Sequence, residues 1–355
     1  MGMFSTIFGR KPSAGERFAN LTAPTPGKPT YVDAVSGHVA VDFYAHDNVE
    51  ELAGNFLTAV TEGLARSRQR ELALTLRLSN GEDPLPKMKD IVRFVATVHA
   101  WAREGNLVDE GGFTQFGERG LFGRAHGGLL YADARPIGGV KLPERALAAI
   151  LVDEAEARTA RDFGTYRVLT RIGLQLRVFP FPIWGELDRP SSVTVRESES
   201  QLSKLARLRA PGVYFVMTDK TLRVIVPSDR ANLMGLMKGL MALPTGAPFA
   251  LLLCPAPKAN AVLAWSPGQE GMSGISPDGS DGSQLTGSCL LVVPAGTSDQ
   301  IQQVEDGYSL RFSSESWARL SDALVGQRPL SLSMHDGMRL EIVWPPKPES
   351  EMPPR

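Results

Sequence analysis

Apolar and polar positions along this chain change their period several times, and each change marks an element. Val39, Val41 and Phe43 alternate with Ala40, Asp42 and Tyr44, the period-two signature of a half-buried strand. Leu52, Phe56, Val60 and Leu64 then recur at every fourth position, which predicts a helix over residues 48–65. Glu71-Leu72-Ala73-Leu74-Thr75-Leu76-Arg77-Leu78 returns to alternation and reads as a strand, and Pro84 and Pro86 mark the loop after it. Over residues 87–104, Met88, Ile91, Val92, Val95, Val98 and Ala102 fall on one face of a long helix, an apolar stripe for a sheet to cover.

Residues 142–190 carry the most distinctive order of elements. Ala146-Leu147-Ala148-Ala149-Ile150-Leu151-Val152 is a short buried strand that stops at Asp153. Acids open the next run, 153–161, where a helix macrodipole favours them; Phe163-Gly164 follows, then a second helical run through Val168, Leu169 and Ile172. Phe179-Pro180-Phe181-Pro182-Ile183-Trp184 leads out to Leu187-Asp188-Arg189. Together with the Leu-rich strand, the Pro-marked loop and the long helix upstream, this order resembles a bacterial member of the Suppressor of fused domain family over residues 35–192. One departure stands out: the segment after the long helix, 106–122, is longer and richer in glycine than that family's turn.

The resemblance implies an α+β fold of two lobes, each a mixed or antiparallel sheet packed against helices. It also implies a binding module without cofactor. Eukaryotic members accept an extended peptide as an added strand between the lobes, and bacterial members are thought to neutralise toxins as immunity proteins.

Punctuation divides the chain. Gly9, Pro12, Gly15, Pro24, Pro26, Gly27 and Pro29 are too dense for regular structure, so residues 1–30 are expected to be a flexible leader. Residues 31–195 form the Suppressor of fused-like domain, and the polar, aperiodic stretch around Pro190 and Arg196 is the linker. Residues 196–345 form a second α+β domain, and the Pro-rich residues 346–355 a disordered tail. The second domain opens with a hairpin, 213–217 and 222–226, joined by Thr218-Asp219-Lys220-Thr221. Ser228 or Asp229 is placed to cap the helix that carries Leu233, Met234, Leu236, Met237, Leu240 and Met241. Apolar runs follow at 249–253, 261–265, 290–293 and 308–312, then a short helix over 317–324 and a closing pair of strands. Residues 266–288 are Gly, Ser, Pro and Asp without periodicity, expected to be a mobile or binding loop.

With 355 residues, 43% apolar and 22% charged, the chain has enough apolar surface for two cores. Its formal charge of -1 provides no long-range field to gather nucleic acid. Cys254 and Cys289 lie in apolar runs without a CxxC spacing and read as buried free thiols of a cytoplasmic protein, the alternative being one disulfide between them. No apolar run is long enough for a membrane span.

Candidate chemistry is sparse. His38, His46, His99, His126 and His335 show no paired metal-ligand spacing, so no metal is expected. The Gly127-Gly128 and Gly138-Gly139 pairs lack the spacing of a nucleotide-binding loop, and Asp278 and Asp281 lack the closing Glu of a calcium loop. Phe113, Phe116 and Phe122 lie in a Gly-rich segment suited either to a protein partner or to collapse on the core. With Tyr131, Trp184, Asp188 and Arg189, they are the candidate partner-binding residues. The reading is a non-catalytic module that sequesters or neutralises a protein partner, of the toxin kind. The alternatives are a hydrolase using His126 or Asp133 and a structural adaptor of a secretion or phage-like assembly.

Overall fold

The computed structural model describes residues 18, 21–49, 52–193, 199–227, 230–256, 259–265, 273–294 and 296–344. The first part contains β1 (Thr30–Val35), β2 (Val39–Val49), β3 (Leu52–Glu62), β4 (Leu72–Leu78), α1 (Leu85–Arg103), β5 (Phe113–Gln115), β6 (Gly128–Asp133), β7 (Leu147–Val152), α2 (Glu154–Phe163), α3 (Thr165–Leu176) and β8 (Trp184–Glu186). These strands build one mixed sheet in the order β1-β2-β3-β4-β7-β6-β5, with β8 beside β4.

Side chains alternate between two covered faces along β6 and β7, so every position but Asp133 is buried. Leu129, Tyr131, Leu147, Ala149 and Leu151 pack with Met88, Ile91 and Val95 of α1. Their neighbours Leu130, Ala132, Ala148, Ile150 and Val152 pack with Ala157, Ala160, Tyr166, Leu169 and Ile172 of α2 and α3. Helices cover both faces, which is why β7 is apolar at every position rather than at alternate ones.

The helix expected over residues 48–65 is corrected: the described residues there are the end of β2, all of β3 and the start of a 3-10 turn at Leu64, the two strands being paired from Ala40 with Glu62 to Val49 with Leu52. Positions four apart share a face in a strand as they do in a helix, so the spacing of Leu52, Phe56 and Val60 fits both. β-branched Thr58, Val60 and Thr61, together with ladder partners on both sides, decide for the strand.

The α2 start behaves as its acids predict. Asp153 Oδ1 accepts from the Glu156 backbone N–H at 2.9 Å, and Glu156 Oε2 accepts from the Asp153 N–H at 3.1 Å, a reciprocal capping box. Glu156 is fully buried because Arg189 reaches it with two bonds of 2.6 Å and the Ser192 N–H adds a third at 2.8 Å. Despite burial, these bonds hold the Glu156 carboxyl below its ordinary range.

The second part contains β9 (Ala206–Arg209), β10 (Tyr214–Thr218), β11 (Thr221–Ile225), α4 (Arg230–Met241), β12 (Phe249–Leu252), β13 (Ala261–Ala264), β14 (Ser273–Ile275), β15 (Gln284–Thr286), β16 (Cys289–Val293), β17 (Gln300–Val304), β18 (Gly307–Arg311), α5 (Ser314–Val325), β19 (Leu330–Ser333) and β20 (Arg339–Val343). The fold is α+β. This lobe is built on two sheets rather than one, β14-β13-β15-β10-β11-β20-β19 and β17-β18-β16-β12-β9. Phe215, Val224 and Leu340 of the first share one core with Phe249, Leu290 and Leu310 of the second.

The aperiodic stretch 266–288 contains β14 and β15, each three residues long, too short to show alternation; residues 266–272 lie outside the described residues. The expected linker centre, the capping pair Ser228 and Asp229, most of the leader and the tail also lie outside them. At the end of the leader, Phe18 and Leu21 pack on the α1 side of the core. Both cysteines are buried free thiols, and no helix among the described residues is long and apolar enough to cross a membrane.

The lobes meet on α3. Arg167 is wholly buried; its guanidinium donates to Asp306 at 2.6 Å, lies 3.1 Å from Glu305 and sits 4.6 Å from the Trp265 ring centre. One turn on, Arg171 Nε donates to the Trp265 carbonyl at 2.7 Å.

Candidate functional site

Each lobe leaves one sheet edge beside the same cleft. In the first lobe β5 ends its sheet, bonded among the described residues to β6 on one side. Tyr131 N–H donates to the Gly112 carbonyl and Phe116 N–H to the Gly127 carbonyl, so the even positions of this strand face β6. By strand alternation the backbone groups of Phe113 and Gln115 face outward. In the second lobe β9 ends the five-stranded sheet, parallel to β12, and Ala210 N–H donates to the Leu252 carbonyl at 3.0 Å. The same alternation turns the backbone N–H groups of Arg207 and Arg209 away from β12.

The two edges touch through side chains. The Arg209 guanidinium lies 4.7 Å from the Phe113 ring centre and donates to the Arg161 carbonyl at 3.2 Å. Arg207 lies 5.1 Å from the Phe163 ring centre. At the α2–α3 junction Gly164 has φ of 100°, a conformation that favours glycine, and a Cβ there would sit 3.4 Å from Leu252 Cβ. That glycine lets β12 of the second lobe approach the first.

Behind these edges is a cavity of about 200 Å³ whose lining sets a few polar groups among apolar side chains. Tyr166 donates its hydroxyl to Glu110 Oε1 at 2.6 Å, Thr165 donates to the Gly112 carbonyl at 3.0 Å, and Cys254 Sγ lies 3.4 Å from the Val213 carbonyl it donates to. Burial, reinforced by the charge of Asp133, lifts the Glu110 carboxyl above its ordinary range. Burial, and then the Glu110 charge, push the Tyr166 hydroxyl and the Cys254 thiol well up. The Tyr166 hydroxyl and the Cys254 thiol therefore stay protonated at neutral pH, hydrogen-bond donors rather than an activated nucleophile. At the rim, Arg70 joins Asp109, at 3.0 Å, to Asp133.

Of the residues singled out in the sequence, Phe113 alone stands at this cleft. Phe116 packs edge-on against Phe94 of α1 with ring centres 6.3 Å apart, and Phe122 packs on the same core. Tyr131 is fully buried, its hydroxyl 2.8 Å from Thr114 Oγ1. Trp184 is buried edge-on against Phe56 and bonded to Glu186. These two rings are core residues, closed to a partner in this conformation, because helices or strands cover both sheet faces. Asp188 and Arg189 line a separate groove of the first lobe with Arg77, Glu82 and Gln175. The groups named for a hydrolase are otherwise engaged or displayed: Asp133 pairs with Arg70, and His126 is exposed on a left-handed turn with φ of 59°.

Sequence reasoning missed Glu110, Tyr166, Arg209 and Cys254. The alternation Arg207-Leu208-Arg209 ahead of Pro211-Gly212 is the one local signal that could have exposed β9.

No family model matches the sequence. A stretch of 128 residues is 29% identical to the human zinc finger FYVE domain-containing protein 9 and spans 35% of this chain but only 9% of that protein. The crystal structure of Drosophila Suppressor of Fused superposes over 94% of this chain and 95% of its own, with a TM-score of 0.36 and 12% identity.

Proposed function

We propose that the chain is a non-catalytic protein-binding module whose cleft takes an extended segment of a partner as an added strand. The observation that carries this reading is the meeting of two sheet edges, β5 and β9, with outward backbone groups at Phe113, Gln115, Arg207 and Arg209. Main-chain bonds to such edges supply affinity, and a side pocket supplies selectivity. The cavity beside Glu110 and Tyr166 is that pocket, and the Arg209–Phe113 contact is the latch an incoming strand displaces.

The order of elements between residues 35 and 192, with its resemblance to Suppressor of fused domains, supports the same class of function. On that resemblance the partner is a protein that the module sequesters, of the toxin kind. The domains at 31–195 and 196–345 act together in this reading, since each contributes one edge.

The experiment is capture from the native host with tagged wild type and with Arg209→Pro, which removes one outward N–H while proline remains tolerable on a sheet edge. One stoichiometric protein partner retained by wild type and lost by the variant supports the reading. Equal capture by both, or a small-molecule product formed in place of a complex, overturns it.

A further inference from the structure

The second lobe holds a cavity of about 310 Å³ between its two sheets, beneath α4 and α5. Val224 and Ile342 form one wall, Leu290 and Val292 the other, and Leu236 and Trp317 close it from the helices. Among the described residues, no Lys, Arg, His, Asp or Glu side chain lines it. Its polar side chains are the hydroxyls of Thr245 and Ser321 and the indole of Trp317. Ser321 already donates to the Trp317 carbonyl at 2.9 Å, so its oxygen is left to accept. At the open end, Met241 and Val325 line the cavity while remaining 76% and 75% exposed, an apolar rim continuous with an apolar interior.

Size and walls select the occupant. A helix is about 10 Å across with its side chains and does not fit. A strand needs free backbone edges, and here both sheets present side-chain faces. A cavity of about 150 Å³ takes the six carbons of benzene, so the space scales to about a dozen carbons. An ionised group inside would find no counter-charge.

We infer that this cavity binds a neutral hydrocarbon ligand of about a dozen carbons, whose single polar end is a hydroxyl donated to Ser321 or Thr245 at the mouth. This site is independent of the cleft and of any partner strand.

Decan-1-ol is the probe, titrated into full-length protein labelled with ¹³C at the methionine methyls. The expected result is saturable shifts at Met237 and Met241, which line the cavity, with Met88 of α1 unmoved. Leu240→Trp, which fills the interior, and Ala247→Phe, which narrows the mouth, should each weaken binding at least tenfold without changing the far-ultraviolet circular dichroism. If one of these variants does not fold, the other carries the test. Decanoate at pH 8 should bind at least tenfold more weakly than the alcohol. Unmoved Met237 and Met241, undiminished binding by the folded filling variants, or decanoate binding as tight as decan-1-ol would each overturn the inference.

Discussion

Beneath α1 the first lobe leaves about 10 Å³, while between its sheets the second lobe leaves about 310 Å³. The difference follows from how each core is closed. In the first, Met88, Ile91, Val92, Val95 and Val98 repeat at helical spacing against one alternating sheet, so a single surface meets a single stripe. In the second, two sheets turn their faces to each other and two helices must bridge the opening. One of these helices, α4, approaches β9 closely at Gly239, where a Cβ would come within 2.2 Å of Leu208. The first lobe is therefore a filled platform, and the second is a frame with room inside it. The inter-lobe cleft inherits one edge from each.

The largest expected effect comes from breaking the join between the two. Arg167→Ala leaves Asp306 and Glu305 buried without their cation and should cost about 3–5 kcal/mol, read from urea unfolding. A loss under about 1 kcal/mol would show that the lobes are held by apolar contact instead.

Added volume sharpens the contrast. Ile91→Phe, in the filled core, should lose about 1–3 kcal/mol by overpacking. Leu240→Phe, beside the large cavity, should stay within about 0.5 kcal/mol of wild type, since the ring has space to enter. Similar penalties at both positions would mean that the second core is as tight as the first.

A smaller effect belongs to the first lobe and to pH. His99 on α1 stacks with His38 at 6.0 Å, and burial, then His38 and Arg103, lower its pKa from the ordinary value. Because the unfolded chain takes up this proton first, the native state keeps its full stability above about pH 6.5 and loses some as pH falls toward the lowered value. The His99→Gln variant should show a shallower decline of the thermal midpoint between pH 7.5 and 5.5 than wild type. An identical decline would remove His99 from the account.

A small stability effect is also expected at the cleft edge. Arg207→Pro should change stability by less than about 1 kcal/mol, because that N–H faces away from β12 and proline is tolerated on edges. A larger loss, measured by the same unfolding curves, would mean that Arg207 N–H is part of the native ladder.

Much of the first lobe was legible because its signals are local. The acids after β7 mark a helix start, and the continuous apolar run of β7 marks a buried strand. The 48–65 hairpin was misread because a four-residue repeat suits both periods, and only its ladder partners, far along the chain, decide between them. The cleft was hidden for a different reason. Glu110, Tyr166, Arg209 and Cys254 are scattered in sequence, and each looks like an ordinary surface or core residue until the two edges meet. Aromatics drew attention to Phe116, Phe122, Tyr131 and Trp184, yet their apolar bulk serves packing.

The most direct test of the cleft uses a photoreactive phenylalanine analogue placed singly at Gln115 on β5, at Arg207 on β9 and, as a control, at Tyr31 on β1, the exposed opposite edge of the first sheet. After irradiation in the native host, the cleft reading predicts the same protein crosslinked from Gln115 and from Arg207, and none from Tyr31. Different proteins from the two edges, or one captured from Tyr31 alone, would contradict it.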